Sequence, residues 1–480
     1  MQTAHPRRWT ALAVIALAQF MVIMDTSIIG VALPEIQTDL GFSPGDLSWV
    51  FNAYVVAFGG LLLLGGRLSD RFGARRLFLA GWAVLAAGSL AAGLAETSGL
   101  EIAARAVQGV GAAFIAPSAL TLLMMLFGHD PKELMKAFAV YGAAAPAGGT
   151  AGVFLGGVIT EWISWPWVFY INIPIALAVL AVTPALMPNV AARRGSIDLA
   201  GAVTATAGLA LTVFAIVRAP EAGWGSAETL IALAGGVGLL AIFVALQASI
   251  REPLMRLSIF RTPNLAAANL AQFLLGAAWI PMWFFLNLYL QQVLGYGAFE
   301  GGAALLPMTA AIMLLMVVVA PRVVNRFGFR TPVVAGMLLL AAGMALLSLV
   351  RADGTFAVDV LPASLIAAAG MSLAFIPSLG TAISSARPEE GGLASGIVNT
   401  SYPVGSALGL AAMTAVAASQ GAERLGNVGA LTDGYSAAFL GAAGIAVAGA
   451  LLAALLLRVP KAKPATAEAP STDERQPLAA

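Results

Sequence analysis

Cysteine is absent from the 480 residues, histidine occurs only as His5 and His129, and lysine occurs four times. The first absence excludes disulfides, thiolate chemistry and cysteine metal sites. Both histidines lie outside the apolar runs, so no imidazole is available within them for acid–base work. Charge is scarce too. Only 10% of residues are charged and 60% are hydrophobic, where a soluble domain carries roughly 25% charged residues. A chain this apolar lacks a water-compatible surface, so its solvent is lipid. No Gly-x-x-x-x-Gly-Lys-[Ser/Thr] phosphate loop, His-Glu-x-x-His pair or carboxylate pair within one apolar run is present. ATP hydrolysis and membrane-embedded catalysis therefore have no residues to carry them. Neither a cofactor nor a nucleic-acid partner nor an obligate protein partner is expected.

What is present is a succession of apolar runs. A spanning helix needs about 20 predominantly apolar residues, and the runs predict spans at 9–33, 48–66, 77–95, 100–126, 135–159, 167–187, 199–217, 228–249, 264–290, 302–321, 332–350, 360–383, 391–419 and 435–457. Arg7-Arg8 before the first run resembles the start of a signal peptide. The run is too long for one, contains Asp25 and has no small-x-small cleavage site, so it is read as span 1.

The basic residues test the count. With the N-terminus in the cytoplasm, 21 of the 25 Arg and Lys fall on cytoplasmic segments; Arg218, Arg351 and Arg424 fall outside, and Arg105 lies within span 4. One span more or fewer would scramble this asymmetry, so fourteen spans with both termini cytoplasmic are expected. Arginine over lysine, with abundant alanine and glycine, fits a GC-rich bacterial genome and a multi-pass plasma-membrane protein. Residues 459–480 read as a disordered cytoplasmic tail.

Arg-Phe-Gly-x-Arg occurs twice, at Arg71–Arg75 and Arg326–Arg330, each time after an even-numbered span. Spans 2 and 10 are eight apart, so a six-span repeat requires two inserted spans between the halves. The expected organisation is a cytoplasmic N-terminus at 1–8, a six-helix half at 9–187, two extra helices with flanking segments at 188–263, a second six-helix half at 264–458 and the tail. Parallel halves of this kind belong to rocking transporters. The alternative is that both motifs are basic anchors at the membrane surface.

Gly66-Arg67-Leu68-Ser69-Asp70-Arg71-Phe72-Gly73-Ala74-Arg75-Arg76 resembles the signature loop of the major facilitator superfamily. Arg105-Ala106-Val107-Gln108-Gly109 matches the family's Arg-x-x-Gln-Gly motif in helix 4, and Met24-Asp25-Thr26 through Ala32-Leu33-Pro34 is similar to the helix 1 pattern of its fourteen-span drug:proton antiporters. The resemblance covers nearly the whole chain except the tail. It implies an all-α membrane protein of two six-helix halves plus two inserted helices, exporting small, largely hydrophobic compounds against protons by alternating access. Helix 5 departs from the antiporter pattern. Gly148, Gly152, Gly156 and Gly157 keep its glycines, but Val153 stands where a proline is expected. That departure keeps proton-coupled uptake of a small metabolite open as an alternative. Trp165-Pro166-Trp167 likewise departs from the Trp-Arg-Trp of many relatives. A non-transporting sensor or scaffold is a third reading, of another class.

Within the spans, Asp25 and Arg105 are the sharpest signals, because a charge at a helix centre costs about 2.5–3.5 kcal/mol on insertion scales. Asp25 lies about 12 Å and Arg105 about 7–8 Å inward from the same side at 1.5 Å per residue. The functional reading makes Asp25 the proton carrier, burial favouring its neutral form and Arg105 its charged form. Gln108 would relay the state to the substrate cavity. Glu101, one turn outward, joins the relay or lies at the membrane interface. The structural alternative is an ion pair fixing helices 1 and 4. Gly66, Asp70, Arg71, Gly73 and Arg75 are expected to form a conformational latch, Gly66 allowing tight packing and Asp70 accepting from a helix N-terminus or from Arg71 and Arg75. Gln272, Trp279, Trp283, Asn287, Asn399 and Tyr402 are the candidate substrate surface, the alternative being packing. Trp162, Trp165 and Trp167 are expected to form an interfacial belt.

Overall fold

The structure is a computed structural model describing residues 7–188, 198–262, 264–386 and 391–458. The tail at 459–480, most of the N-terminal segment 1–8 and the stretch 189–197 lie outside the described residues. Fourteen described helices are long and apolar enough to cross a membrane. The first six are α1 (Arg8–Leu40), α2 (Asp46–Phe72), α3 (Ala74–Gly93), α4 (Ser98–Phe127), α5 (Lys136–Trp162) and α6 (Trp167–Leu186). Next come α7 (Leu199–Ala222) and α8 (Ala227–Ser249). The last six are α9 (Leu265–Val293), α10 (Ala298–Phe327), α11 (Arg330–Leu347), α12 (Phe356–Ile383), α13 (Gly396–Ser419) and α14 (Val428–Leu456). An even number of spans brings the chain back to the end of the bundle at which it starts, here the near end.

Several helices outlast their apolar runs, because backbone hydrogen bonding does not stop where hydropathy falls. α1 continues through Pro34 to Leu40 and stops at Gly41, whose φ of 66° gives the left-handed cap. α2 runs to Phe72, so residues 66–72 of the expected loop are helical. The break is Gly73 alone, at φ 94°, before α3 starts at Ala74. The second Arg-Phe-Gly-x-Arg copies this. α10 ends at Phe327, Gly328 has φ 70°, and α11 begins at Arg330. Each motif is thus a one- or two-residue helix–helix corner that needs a glycine. Within α10, residues 315–319 form a π-helical turn just before Pro321, whose ring excludes the ordinary α-helical bond there.

α1 packs mainly along α5, α3 along α4, and α4 along α2; α9 packs along α13 and α14, and α11 along α12 and α14. Between these groups run two seams, α5 against α10 and α2 against α13. α7 and α8 pack on each other, and α7 lies over the second seam, against both α2 and α13. The pair is tied by Asp198, which caps α7 by accepting from Gly201 N at 2.7 Å and accepts from Gln247 Nε2 of α8 at 2.6 Å. Gln247 Oε1 in turn accepts from Met255 N at 2.8 Å, holding the following loop.

Candidate functional site

Thr97 sets the position of the site. Its hydroxyl accepts from Leu100 N and starts α4 there, which puts Arg105 two turns inside the helix. Arg105 is fully buried and Asp25 is 1% exposed. Arg105 Nη1 donates to Asp25 Oδ2 at 2.6 Å and to Gln108 Oε1 at 2.7 Å, while its Nε donates to Val50 O of α2 at 2.9 Å. The guanidinium also lies 4.6 Å from the Tyr54 ring centroid, within the range of a cation–π contact. The second carboxylate oxygen, Oδ1, accepts from Asn172 Nδ2 of α6 at 2.8 Å and from Gln108 Nε2 at 3.3 Å. Ser89 Oγ of α3 accepts from both amides, at 2.7 Å from Gln108 and 3.2 Å from Asn172. One carboxylate is therefore held by groups from α4 and α6 and bound through them to α2 and α3. A change in its charge is felt by five helices.

Sequence reasoning missed Ser89, Asn172 and Tyr54. The signal for Asn172 was the amide alone within the apolar run 167–187; Ser89 gave none, since a serine in a helix commonly satisfies itself on its own backbone. Glu101 corrects one expectation. It is fully buried rather than at a wet interface, and neither carboxylate oxygen has a hydrogen-bond partner. Arg105 Nη2, Tyr54 Oη and Asn172 Oδ1 are also buried without partners, which leaves this site unusually rich in unspent polar atoms.

The helix 5 glycines divide. A Cβ at Gly152 would stand 2.7 Å from Met24 O and one at Gly156 2.8 Å from Ile28 O, and Gly148 abuts Phe20 O, so all three allow α1 against α5. Gly157 faces α10 instead, where a Cβ would lie 2.9 Å from Ala298 O. Val153 is buried, and its carbonyl meets Gly302 of α10.

The expected latch is arranged differently. Asp70 is exposed and is not hydrogen-bonded among the described residues, while Arg75 Nη1 donates to Met187 O at 3.2 Å and Pro184 O at 3.3 Å, not to Asp70. The reason is the helical course of residues 66–72, which leaves no loop to fold back. Gly65, not Gly66, makes the tight contact, its Cα lying against Ala113 O; a Cβ at Gly66 would have only ordinary contact with Pro117.

Of the candidate substrate surface, Gln272, Trp279, Trp283 and Asn287 are buried in α9. Gln272 Nε2 donates to Phe375 O and Ser378 Oγ of α12, both at 2.9 Å. Trp283 and Asn287 close on Gly30 of α1, where a Cβ would be 3.0 and 3.1 Å from their side-chain nitrogens. Tyr402 stacks edge-on with Phe375 at 5.4 Å, and Asn399 is exposed on α13. Trp162 and Trp167 are exposed as expected of a belt. Trp165 is not: it is buried, donating to Asp39 Oδ2 at 2.7 Å.

At the far end, α1 is clasped to α9 and α14 by uncharged side chains. Gln291 Nε2 donates to Val31 O at 3.0 Å, Gln292 Nε2 to Gln37 Oε1 at 2.8 Å, and Tyr435 Oη to Gln292 Oε1 at 2.5 Å. Removing two of its three bonds with Gln292→Leu is expected to raise maleimide labelling of a Val31→Cys reporter beneath the clasp. At about 1 kcal/mol per bond the two Gln292 bonds bias closure by about tenfold or more. An unchanged labelling rate would mean that the clasp does not hold the far end shut.

A model of the Major Facilitator Superfamily matches residues 15–410. The chain is 39% identical over 459 residues to the cephamycin export protein CmcT of Amycolatopsis lactamdurans, covering 95% of this chain and 94% of the relative. It is 36% identical to the puromycin resistance protein pur8 of Streptomyces alboniger (95% and 92% covered) and 31% identical to the lincomycin resistance protein of Streptomyces lincolnensis (94% and 91%). The fold is similar to solved structures of the nucleoside transporter NupG, at TM-score 0.66, 13% identity and 94% and 100% coverage, and of the peptide transporter POT with sulfate, at TM-score 0.67, 15% identity and 92% and 93% coverage. With its fourteen apolar helices and a family match across most of its length, the chain belongs to the Major Facilitator Superfamily and is a multi-pass membrane transporter of small molecules.

Proposed function

We propose that the protein is a proton-coupled exporter of small, largely hydrophobic compounds such as antibiotics, drugs or dyes, working by rocking of residues 9–187 against 264–458. The observation that carries this reading is the Asp25 cluster, an acid sealed in the membrane and joined to five helices of one half. Protonation would release Arg105 and Asn172 from the carboxylate and let the helices shift. The relatives named for cephamycin export and for puromycin and lincomycin resistance support export and the substrate class. The distribution of Arg and Lys supports a near end, and both termini, in the cytoplasm of a bacterial cell.

The test is dye accumulation in inverted vesicles energised by respiration, with and without an uncoupler. Accumulation that the uncoupler abolishes supports the reading; none across cationic and neutral dyes overturns export. Uptake remains the second reading because Val153 replaces the antiporter proline. Accumulation in right-side-out vesicles would favour it. Within the cluster, Asn172→Ala is expected to lower the initial rate at fixed gradient by about tenfold or more, since a hydrogen bond to a charged group contributes about 1.5–3 kcal/mol. A rate within twofold of the parent would remove Asn172 from the coupling site. Glu101→Gln tests the relay in the same assay. A slowed rate with normal protein yield is expected, and a parental rate would assign Glu101 to packing.

A further inference from the structure

Away from the Asp25 site lies a cavity of about 260 Å³ walled by α2, α7, α8, α9 and α13. Its back is Gly59, Gly60 and Leu63; its outer wall is Ala205, Leu209, Leu240 and Phe243 of the inserted pair; the loop after α8 closes it with Leu254, Met255 and Phe260. The helical positions run from the middle of their helices toward the near end. No ionisable residue lines it among the described residues. Its hydroxyl protons among the described residues are turned away to other partners: Thr400 donates to Gly396 O at 2.9 Å, and the single proton of Ser401 is shared between Ile397 O at 3.0 Å and Asn269 Oδ1 at 2.9 Å. A cavity walled mainly by apolar side chains favours apolar guests; one of about 150 Å³ holds benzene. This one has room for a fused bicyclic system within it, and its open side lets the rest of a larger fused-ring guest project outward.

Its place in the fold gives it a use. The α2–α13 seam is where the two groups of six helices meet on one side, and α7 lies across it. Without the inserted pair, the opening would be a groove against lipid. With it, the groove becomes a partly enclosed chamber at the depth of the near-end leaflet, with one wall on each group. The chamber is braced rather than loose: Arg67 Nη2 of α2 donates to Pro253 O at 2.5 Å, and Asp198 and Gln247 tie the pair to the loop. Gly60 admits α7 closely, since a Cβ there would lie 2.6 Å from Thr206 Oγ1.

We infer that this chamber is a binding site for a neutral, apolar transported molecule taken from the near-end leaflet of the membrane, and that the inserted helices α7 and α8 exist in part to wall it. The inference rests on the export reading for its physiological sense, but binding itself needs no gradient.

The chain's lack of cysteine makes the test direct. Full-length protein carrying Ala205→Cys, in lipid vesicles, is reacted with N-phenylmaleimide with and without Nile red, a neutral apolar dye. Nile red is expected to slow the reaction at Ala205→Cys by at least about threefold and to leave an Ile231→Cys control on the lipid-facing side of α8 unchanged. In transport, Ala205→Phe is expected to raise the KM for Nile red by about tenfold, corresponding to about 1.4 kcal/mol of lost contact, with the maximal rate within twofold. Reaction rates at Ala205→Cys that ignore the dye overturn the proposal. Rates that follow the acyl-chain length of the vesicles and ignore the dye also overturn it, and assign a structural lipid. Should the parent protein move no Nile red while the dye still protects Ala205→Cys, the site stands and export of that compound falls.

Discussion

Asp25→Asn is expected to reduce gradient-driven dye accumulation in inverted vesicles to the level of empty membranes while leaving the protein folded. Asparagine is isosteric and keeps one acceptor oxygen, which can serve Arg105 but not Asn172 as well, since the two donate to different oxygens of Asp25; the shape of the cluster survives with one bond lost. It cannot take up or release a proton, so a cycle that depends on that exchange stops. The fold is the weaker concern but a real one. Removing one partner of a buried ion pair typically costs about 3–5 kcal/mol, because the other charge is stranded. Here the retained amide, the Val50 carbonyl and the Tyr54 ring still receive the guanidinium. The control is Arg105→Gln with Asp25→Asn, which removes both charges. Its recovery in detergent should match or exceed that of the single variant, with no recovery of transport. Full transport by Asp25→Asn would leave the ion pair as a brace between α1 and α4 and send the search for the coupling group elsewhere.

Gly152→Val should have the second largest effect. The α1–α5 contact depends on backbone approaching backbone, and a side chain at Gly152 meets Met24 O at 2.7 Å and Ser27 Cβ at 2.9 Å, one residue before and two residues after Asp25. Overpacking of this kind costs about 1–3 kcal/mol, and the forced separation would move Asp25 away from Arg105. Loss of transport with a lowered melting temperature is the expected pair of results. Gly149→Ala is the control on the same helix: its Cβ finds Ser27 Oγ at 3.7 Å and Ile23 Cγ2 at 3.8 Å, both ordinary contacts, and near-parental transport is expected. Equal tolerance at both positions would show that α5 is free to move away from α1 without consequence.

The number of helices and the chemistry of the deepest charges were legible in the sequence, for a common reason. Lipid penalises each polar group separately, so hydropathy counts spans, and a charge left inside one, as at Asp25 and Arg105, stands out. Their meeting at 2.6 Å follows from depth, which a helix encodes linearly in residue number. What the sequence hides is the direction of a side chain around its helix. Glu101 lies near the end of a run and reads as wet, yet its face is turned inward. Trp165 reads as part of a belt but is turned in by Asp39. Gln272 and Trp283 lie on one stripe by periodicity and nevertheless serve two different neighbours, α12 and α1. Likewise, the loop read over residues 66–76 shrank to a corner at Gly73, since polar residues past the membrane edge continue a helix as readily as they form a loop.

The far-end clasp of Gln37, Gln291, Gln292 and Tyr435 is built of amides and one phenol, none of which changes charge across the physiological range. Acidity on that side has nothing in the clasp to act upon, and added salt has no charge there to screen. The clasp is only part of the closure, however: at the α5–α10 seam on the same end Glu161 accepts from Phe299 N at 3.4 Å, and that contact is made by a carboxylate. The seal of this mouth is thus divided between a part that acidity and salt leave alone, where α1 meets α9 and α14, and a part that they reach, where α5 meets α10.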